Sequence, residues 1–276
     1  MARTGSQPWR LSSVPDGSKL AECLFLGYSH FIEAVGAYVV VAGTARTFGV
    51  GKLRDNNCKI CGFAGTSLIK VRSDLSYFAC PKCDYCEKLP SSEGAHADFE
   101  ASQSAYYENP SVDPFSEPAV LAKERLDQKA RVTQKYVPAG SRLLEVGPGS
   151  GTFLPWAKAA GYICIGAEHS PVLRTNLEAQ GFEIFGGEFE RSAIDQSYDA
   201  VCSFHIIEHV ETPIEHLKKA LAITLPGGHM IVATPNAGSW QQKLFPKLSP
   251  NFDFAHLHVF SDRSLRMLAE EVGWTV

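Results

Sequence analysis

Apolar and polar positions follow two periods along the chain, and after residue 117 these periods alternate in a regular order. Short apolar runs of strand length alternate with stretches in which apolar residues recur every three or four positions, the spacing of an amphipathic helix. Strands are predicted at 141–147, 162–169, 182–187, 198–205 and 227–235. Helices are predicted at 117–137, 152–161, 170–181, 213–225 and 262–273. This order indicates βαβ units on a parallel sheet.

Local signals agree with these elements. Ser170 and Ser261 are candidate N-caps, Pro171 stands at a first helical position, and Gly181 ends its helix. We therefore expect an α/β fold with a doubly wound, Rossmann-like sheet. The chain stops at "WTV", where a further strand begins at Trp274. We expect a sheet that is truncated at its C-terminal end or that lacks its last strands.

Composition divides the chain into four parts. Residues 1–54 carry little signal and are expected to be partly flexible, with one strand or short helix in 31–43. A cysteine-rich module occupies 55–90. A stretch rich in Ser, Ala, Pro and acids at 91–116 is typical of a linker. The regular α/β pattern fills 117–276, so we expect one main domain with a small N-terminal companion.

Composition and charge also limit the class of function. The 276 residues are 45% hydrophobic, which is enough for a sizeable core. The formal charge of -4 does not favour a nucleic-acid partner, which usually selects a strongly basic surface. No apolar run approaches the roughly 20 residues that span a membrane. We expect a soluble, cytoplasmic protein with no membrane partner; no pattern indicates an oligomeric state.

The cysteine module has the spacing of a metal site. Cys58, Cys61, Cys80 and Cys83 form C-x2-C-x18-C-x2-C, which predicts a zinc ribbon with a tetrahedral site. Four thiolates leave no open coordination position, so the Zn²⁺ would be structural. Cys86 could replace Cys80 in a shifted pair with Cys83, but the first register fits better. Redox or metal-free cysteines are the alternative, and a hairpin is expected between the two pairs.

A glycine-rich turn follows the first strand of the main domain. In "SRLLEVGPGSGTFL", Gly147, Gly149 and Gly151 give G-x-G-x-G, and Thr152 stands where a dinucleotide fingerprint has its third glycine. No Walker lysine follows. Glu145 precedes the turn, and a carboxylate there would repel a phosphate but attract an ammonium or sulfonium group.

A second acid supports a cationic ligand without phosphate. Glu168 ends the second predicted strand, 23 residues after Glu145. An acid at that position can bind both hydroxyls of a ribose. S-adenosylmethionine has a ribose, an ammonium and a sulfonium group, and it has no phosphate. The alternative is an ordinary tight turn beside a solvated glutamate.

Segment 117–276 resembles the class I S-adenosylmethionine-dependent methyltransferases. The matching motifs are "LLEVGPGSGTFL", "GAEHS", "YDAVCSFHIIEHV", "LPGGHMIVATPN" and "HLHVFSDRSLRMLAEEVGW". The resemblance implies an adenine contact after strand three, at Glu188 and Phe189. It also implies that Ser203 and Phe204, after strand four, pass beside the methionine part of the cofactor.

Histidines follow the fourth strand. "HIIEHV" contains His205, Glu208 and His209, and His256 and His258 come later. If the segment is helical, His205 and His209 share a face. One of them could act as general base, or the group could hold a divalent metal, or it could only cap and pack the loop. Similar Glu-His motifs with a later His occur in quinone O-methyltransferases and small-RNA 2′-O-methyltransferases, which have an acid at the position of His205.

Together these features predict a methyltransferase that uses S-adenosylmethionine and acts on a small-molecule acceptor, at a hydroxyl or an acidic carbon. A zinc ribbon followed by "YYEN" resembles bacterial methyltransferases that include sugar C-methyltransferases, in which the small domain helps to cover the acceptor. An alternative is a catalytically silent module that docks a partner through its ribbon. A dehydrogenase is disfavoured by Thr152 and Glu145.

Overall fold

The structure, a computed structural model, describes residues 37–43, 57–71, 73, 75–89, 119–245, 249 and 251–276. The predicted linker at 91–116 and most of segment 1–54 lie outside this part of the chain. The main sheet of the described residues has seven strands, which are β1 (Ala37–Gly43), β5 (Arg142–Val146), β6 (Ile163–Glu168), β7 (Glu183–Gly186), β8 (Tyr198–Phe204), β9 (Thr224–Thr234) and β11 (Trp274–Thr275). Their order across the sheet is β11-β1-β9-β8-β5-β6-β7.

Strand direction confirms the predicted α/β class. The five strands from β7 to β9 pair in parallel. β1 pairs antiparallel with β9, and β11 pairs antiparallel with β1, so β11 runs parallel to β9. Segment 31–43 therefore supplies a strand rather than a helix. The strand expected at Trp274 is present as β11.

The described helices cover both faces of this sheet. They are α1 (Ala119–Tyr136), α2 (Phe153–Ala159), α3 (Pro171–Ala179), α4 (Pro213–Ile223), α5 (Trp240–Leu244) and α6 (Asp262–Val272). Side chains of α4 and α6 pack on one face, and those of α1 and α2 on the other. Ser170 and Ser261 are the N-caps of α3 and α6, as predicted. Among these helices none is long and apolar enough to cross a membrane.

A second sheet joins the cysteine module to the main domain. Its order is β10-β4-β3-β2, with β2 (Ser67–Lys70), β3 (Ser76–Ala79), β4 (Cys86–Lys88) and β10 (His258–Val259). β2 and β3 form the hairpin that the sequence predicts. β10 belongs to the main domain and pairs antiparallel with β4. The ribbon module, residues 57–89, therefore shares a sheet with the domain that follows it.

Ser261 connects the two parts directly. Its Oγ accepts the Ser264 N–H at 3.0 Å as the cap of α6 and donates to the Cys83 carbonyl at 2.6 Å. We predict that Ser261→Ala lowers the free energy of unfolding by about 2–3 kcal/mol, because it removes a cap and leaves a buried carbonyl without its donor. Urea unfolding in the presence of Zn²⁺ measures this loss.

Ser170→Ala is the matched control. Ser170 caps α3 by accepting the Leu173 N–H at 3.5 Å. Its loss should cost no more than about 1 kcal/mol. Equal losses in the two variants would contradict a second role for Ser261.

Candidate functional site

The turn after β5 depends on three glycines with left-handed backbone. Gly147, Gly149 and Gly151 have φ angles of +63°, +57° and +78°. A Cβ at Gly147 would lie 2.2 Å from Ile206 Cδ1, and one at Gly151 would lie 2.4 Å from Leu177 Cδ2. At Gly149 nothing lies within 4 Å of such a Cβ. The two outer glycines thus allow tight packing, and Gly149 faces open space into which a ligand can approach.

Glu145 is a buried carboxylate beside this turn. It is 1% exposed, and its Oε2 has no hydrogen-bond partner among the described residues. Burial raises the pKa of Glu145 to about 7, although Lys129, whose Nζ lies 3.8 Å from Oε1, acts to lower it. A cationic ligand group would favour the ionised form in the same way.

Lys129 is a residue of the site that the sequence did not reveal. It lies on α1, and its Nζ is 4.7 Å from the centre of the Phe204 ring as well as close to Glu145. The contact joins α1 to the ends of β5 and β8. No local pattern distinguishes this lysine from the others of α1, because the contact exists only in the folded chain.

Glu168 joins the glycine turn to the end of β6. Its carboxylate accepts the Gly149 N–H at 3.1 Å and the Ser170 N–H at 2.9 Å. Burial raises the pKa of Glu168, and these two backbone donors oppose the shift. The structure thus brings together Glu168 and Gly149, which the sequence had placed in one site.

The residues predicted near the adenine and methionine parts have distinct surroundings. Glu188 pairs with Arg191 at 2.9 Å on the surface, whereas Phe189 is buried with its ring centre 5.1 Å from that of His216. The Ser203 Oγ lies 3.0 Å from His216 Nε2. The roles of Glu188, Phe189, Ser203 and Phe204 in cofactor binding remain predictions.

His216 and Glu190 form a buried link that the sequence did not indicate. His216 Nδ1 lies 2.6 Å from Glu190 Oε1, while its Nε2 contacts Ser203. Burial raises the pKa of Glu190, but the hydrogen bond and charge of His216 outweigh this effect and lower it. The link connects the loop after β7, the helix α4 and the end of β8.

The segment after β8 is a series of turns, so the helix considered for it does not form. His205 has a φ of +59°, a left-handed conformation that a helix cannot continue. His205 Nδ1 lies 3.4 Å from Glu208 Oε1, and the His209 N–H bonds the Ile206 carbonyl at 2.8 Å. His205 and His209 therefore do not share a helical face; each contacts a different neighbour.

Glu208, His209 and His256 come together at the end of this turn. One donor atom from each lies within 4.8 Å of the others. His209 Nδ1 is 2.9 Å from the Ala255 carbonyl, and His256 Nδ1 is 2.8 Å from the Asn251 carbonyl. Since a carbonyl only accepts, both Nδ1 atoms carry the hydrogen and both lone pairs lie on Nε2. We call His205, Glu208, His209 and His256 the histidine cluster.

Glu208 is the buried charge of the cluster. In the described part of the chain neither carboxylate oxygen has a hydrogen bond of good geometry, and the residue is fully buried. Burial raises the pKa of Glu208, but the His205 contact and the charges of His205 and His209 have the larger effect. The pKa of Glu208 is therefore lower than that of an ordinary glutamate. Burial likewise lowers the pKa of His209. The donor set therefore fits a divalent cation.

His258 lies outside the cluster. Its Nε2 is 3.1 Å from the Val210 carbonyl, and its Nδ1 is 2.6 Å from the Tyr85 hydroxyl. Burial lowers the pKa of His258 to about 4, so the ring is neutral near pH 7. Nε2 therefore donates to Val210, and Nδ1 accepts from Tyr85.

The four cysteines of the ribbon module form a second cluster, here called the thiolate cluster. Their sulfurs lie within 4.8 Å of one another. Each cysteine pair lies on its own turn, and the two turns are of the same kind. The Gly62 N–H bonds the Cys58 carbonyl in the first turn and the Asp84 N–H bonds the Cys80 carbonyl in the second, each at 2.9 Å. Gly62 and Asp84 both have positive φ angles. Cys86 lies apart in β4, as the preferred register predicts.

The strand order, the glycine turn and the acidic end of β6 define a class I S-adenosylmethionine-dependent methyltransferase. A family model described as methyltransferase domain matches residues 121–276, more than half of the chain. The chain therefore belongs to this family of methyltransferase domains.

Known proteins similar to the chain include two ubiquinone biosynthesis O-methyltransferases. The one from Ruegeria pomeroyi is 30% identical over 105 residues, 36% of this chain and 42% of that protein. The one from Dinoroseobacter shibae is 29% identical over 104 residues, 35% of this chain and 42% of that protein. The chain thus matches about two fifths of the length of these relatives.

Among solved structures, the chain is similar to a methyltransferase from Thermotoga maritima. That protein is described as S-adenosylmethionine-dependent and as a possible histamine N-methyltransferase. The match has a TM-score of 0.48 and 21% identity, and it covers 66% of this chain and 80% of that chain.

The pKa of Glu145 predicts a pH-dependent cofactor affinity. Below about pH 7 the carboxyl is protonated, so the attraction predicted between Glu145 and the cofactor ammonium would be lost. We expect the affinity for S-adenosylhomocysteine to rise by up to about tenfold from pH 6 to pH 8 and to level off above that. Calorimetric titration across this range measures the effect.

Two variants test the assignment to Glu145. Glu145→Gln should remove the dependence, because its amide does not ionise. Lys129→Met should move the rise to higher pH, because Lys129 lowers the pKa of Glu145. A dependence that persists in Glu145→Gln would assign the titration to another group.

Proposed function

We propose that the chain transfers a methyl group from S-adenosylmethionine to a hydroxyl of a small-molecule acceptor, with His205 as general base. The observation that carries this proposal is the pairing of His205 with the buried carboxylate of Glu208 beside the end of β8. Sites in parallel sheets lie at the carboxyl ends of strands, so this pair faces the same edge as the glycine turn.

The geometry suits His205 for proton removal. Its side chain is 30% exposed, whereas that of Glu208 is 1% exposed. With the ring hydrogen on Nδ1, 3.4 Å from Glu208 Oε1, the lone pair on Nε2 would be left for the acceptor. The cofactor would supply a sulfonium methyl group, and His205 Nε2 would take the proton that the acceptor hydroxyl loses as the O–CH₃ bond replaces the S–CH₃ bond. Glu208 then stabilises the imidazolium.

Cofactor binding is assigned to the glycine turn and its two acids. Glu145 would attract the ammonium and sulfonium end, and the backbone around Gly149 would approach the methionine part closely. Glu168 would accept the ribose hydroxyls, since each carboxylate oxygen has a second lone pair beside its backbone donor. Methyl transfer from a sulfonium is favourable, so positioning supplies much of the acceleration.

The acceptor is proposed to have an apolar body. Trp240 is 64% exposed, and Leu244, Phe245 and Phe254 are also exposed large apolar residues. The first three follow the carboxyl end of β9, and Phe254 adjoins Ala255, which accepts the His209 hydrogen bond. The O-methylation named for the ubiquinone relatives supports oxygen as the methyl acceptor.

A cation-assisted route is the second candidate. The orphaned carboxylate of Glu208 and the Nε2 lone pairs of His209 and His256 fit a divalent ion, as described above. Such an ion would lower the pKa of a hydroxyl bound to it. Under this route His205 orients Glu208 instead of taking the proton.

The ribbon module is proposed to hold a structural Zn²⁺. Its four cysteine sulfurs and two equivalent turns have the arrangement of a closed site, with no position left for a substrate. A silent module that docks a partner through the ribbon is the alternative function. Cofactor binding separates that alternative from an enzyme.

We predict that the purified chain binds S-adenosylhomocysteine with micromolar affinity and contains one Zn²⁺. Glu168→Ala should weaken cofactor binding at least tenfold, because it removes the acceptor of the ribose hydroxyls. Calorimetry with NADH as the control ligand and metal analysis of the same sample measure both. A folded, zinc-loaded chain that binds no S-adenosylhomocysteine would contradict the enzyme and favour the silent module.

We predict that His205→Gln lowers kcat about 10²–10⁴-fold, the usual contribution of a general base, without changing affinity for S-adenosylhomocysteine. The assay is transfer of a radiolabelled methyl group to a panel of phenols and catechols. His229→Gln is the control, since His229 pairs with Ala200 away from the carboxyl end of β8.

His256→Gln and EDTA distinguish the two routes. With His205 as base, activity persists in His256→Gln, and it persists in EDTA as long as metal analysis shows that the ribbon keeps its Zn²⁺. Loss of activity in EDTA that Mg²⁺ or Mn²⁺ restores, together with an inactive His256→Gln, would assign the chemistry to the cation-assisted route.

A further inference from the structure

The loop that carries His256 is held from two sides. Residues 251–258, here called the late loop, lie between the ribbon module and the turn after β8. On the ribbon side the Lys88 N–H bonds the Leu257 carbonyl at 2.9 Å. On the opposite side the N–H groups of Leu257 and His258 both bond the Glu208 carbonyl, at 2.8 and 3.1 Å. The backbone of the late loop thus connects β4 to Glu208, the buried acid of the histidine cluster.

Two ribbon tyrosines reinforce this connection with their hydroxyls. The hydroxyl of Tyr77, on β3, lies within hydrogen-bond distance of two late-loop carbonyls, that of Asp253 at 2.7 Å and that of His256 at 2.9 Å. Tyr85 donates to His258 Nδ1 at 2.6 Å, and His258 donates onward to the Val210 carbonyl. One tyrosine therefore fixes the backbone of His256, and the other reaches the turn that holds Glu208 and His209.

The tyrosines are themselves fixed by the ribbon. Tyr77 is 0% and Tyr85 is 3% exposed. The Tyr85 carbonyl accepts the Cys80 N–H at 2.8 Å, so Tyr85 is part of the second cysteine turn. The Tyr77 ring packs on Phe252 of the late loop, with ring centres 4.6 Å apart. Because buried side chains with satisfied hydroxyls have little freedom, their positions transmit the geometry of the thiolate cluster.

We infer that Tyr77 and Tyr85 are positioning residues that set the late loop and the turn after β8, and thereby the histidine cluster, from the zinc ribbon. The inference rests on the proposed function for its catalytic consequence, but the structural coupling can be measured without an acceptor. The ribbon is then a support of the active site, in addition to any part it has in covering the acceptor.

Tyr77→Phe and Tyr85→Phe test this coupling, since each removes one hydroxyl and keeps the ring. Hydrogen exchange should become about three- to tenfold faster in 251–258 for both variants and in 205–211 for Tyr85→Phe, because each loses one net hydrogen bond. Affinity for S-adenosylhomocysteine and the zinc content should not change. kcat for the phenol panel should fall, with KM for the cofactor unchanged.

Tyr162→Phe is the matched control. Tyr162 is buried and donates to the Val137 carbonyl at 2.8 Å, in the part of the main domain that packs on α1. Its loss should leave exchange in the late loop unchanged. If the two ribbon variants give the same late-loop exchange as Tyr162→Phe, the inference is wrong. Absence of methyl transfer by the wild type would contradict the proposed function and leave the exchange result valid.

A measurement on the wild type covers the case in which a variant does not fold. Side-chain ¹⁵N spectra should show His258 protonated at Nε2 with a hydrogen-bonded, unprotonated Nδ1. A His258 ring that carries its hydrogen only on Nδ1 could not donate to the Val210 carbonyl, so the link from Tyr85 to the turn after β8 would be broken and its positioning role overturned.

Discussion

Burial of carboxylates at the carboxyl ends of strands is the constraint on which the site depends. Glu145, Glu168 and Glu208 are all buried, and an uncompensated buried charge is costly. Each is stabilised differently: Glu168 by backbone N–H groups, Glu145 by Lys129, which only partly offsets the rise in pKa caused by burial, and Glu208 by histidines. The role proposed for each acid follows from the neighbouring group that stabilises its buried charge.

The ribbon module is joined closely to the main domain. A zinc module joined by a linker could have been an independent domain, and the silent-module alternative assumes such independence. Here β4 and β10 share a sheet, Ser261 bonds Cys83, and two tyrosines reach the late loop. The thiolate and histidine clusters are thus supported by one continuous set of hydrogen bonds, so loss of the Zn²⁺ proposed for the first is expected to disturb the second.

Much of the fold could be predicted from local patterns. The alternation of periods predicted the parallel sheet, the caps Ser170 and Ser261 were correct, and cysteine spacing selected the four sulfurs that lie close together. The features that the sequence did not predict depend on contacts between distant parts of the chain. The turn at His205 depends on a left-handed residue that no periodicity encodes, and the contacts of Lys129 and His216 form only between distant elements. The pairing of β4 with β10 likewise crosses from one part of the chain to the other.

The position of β1 has a consequence for how the chain is made. β1 lies in the sheet between β9 and β11, yet it is translated before every other described strand. Its sequence "AYVVVAG" is apolar, uncharged and rich in β-branched residues. It cannot pair with β9 until the ribosome has passed Thr234, and such long-range pairing is slow. During synthesis the nascent chain therefore carries an exposed, aggregation-prone strand of the kind that chaperones bind.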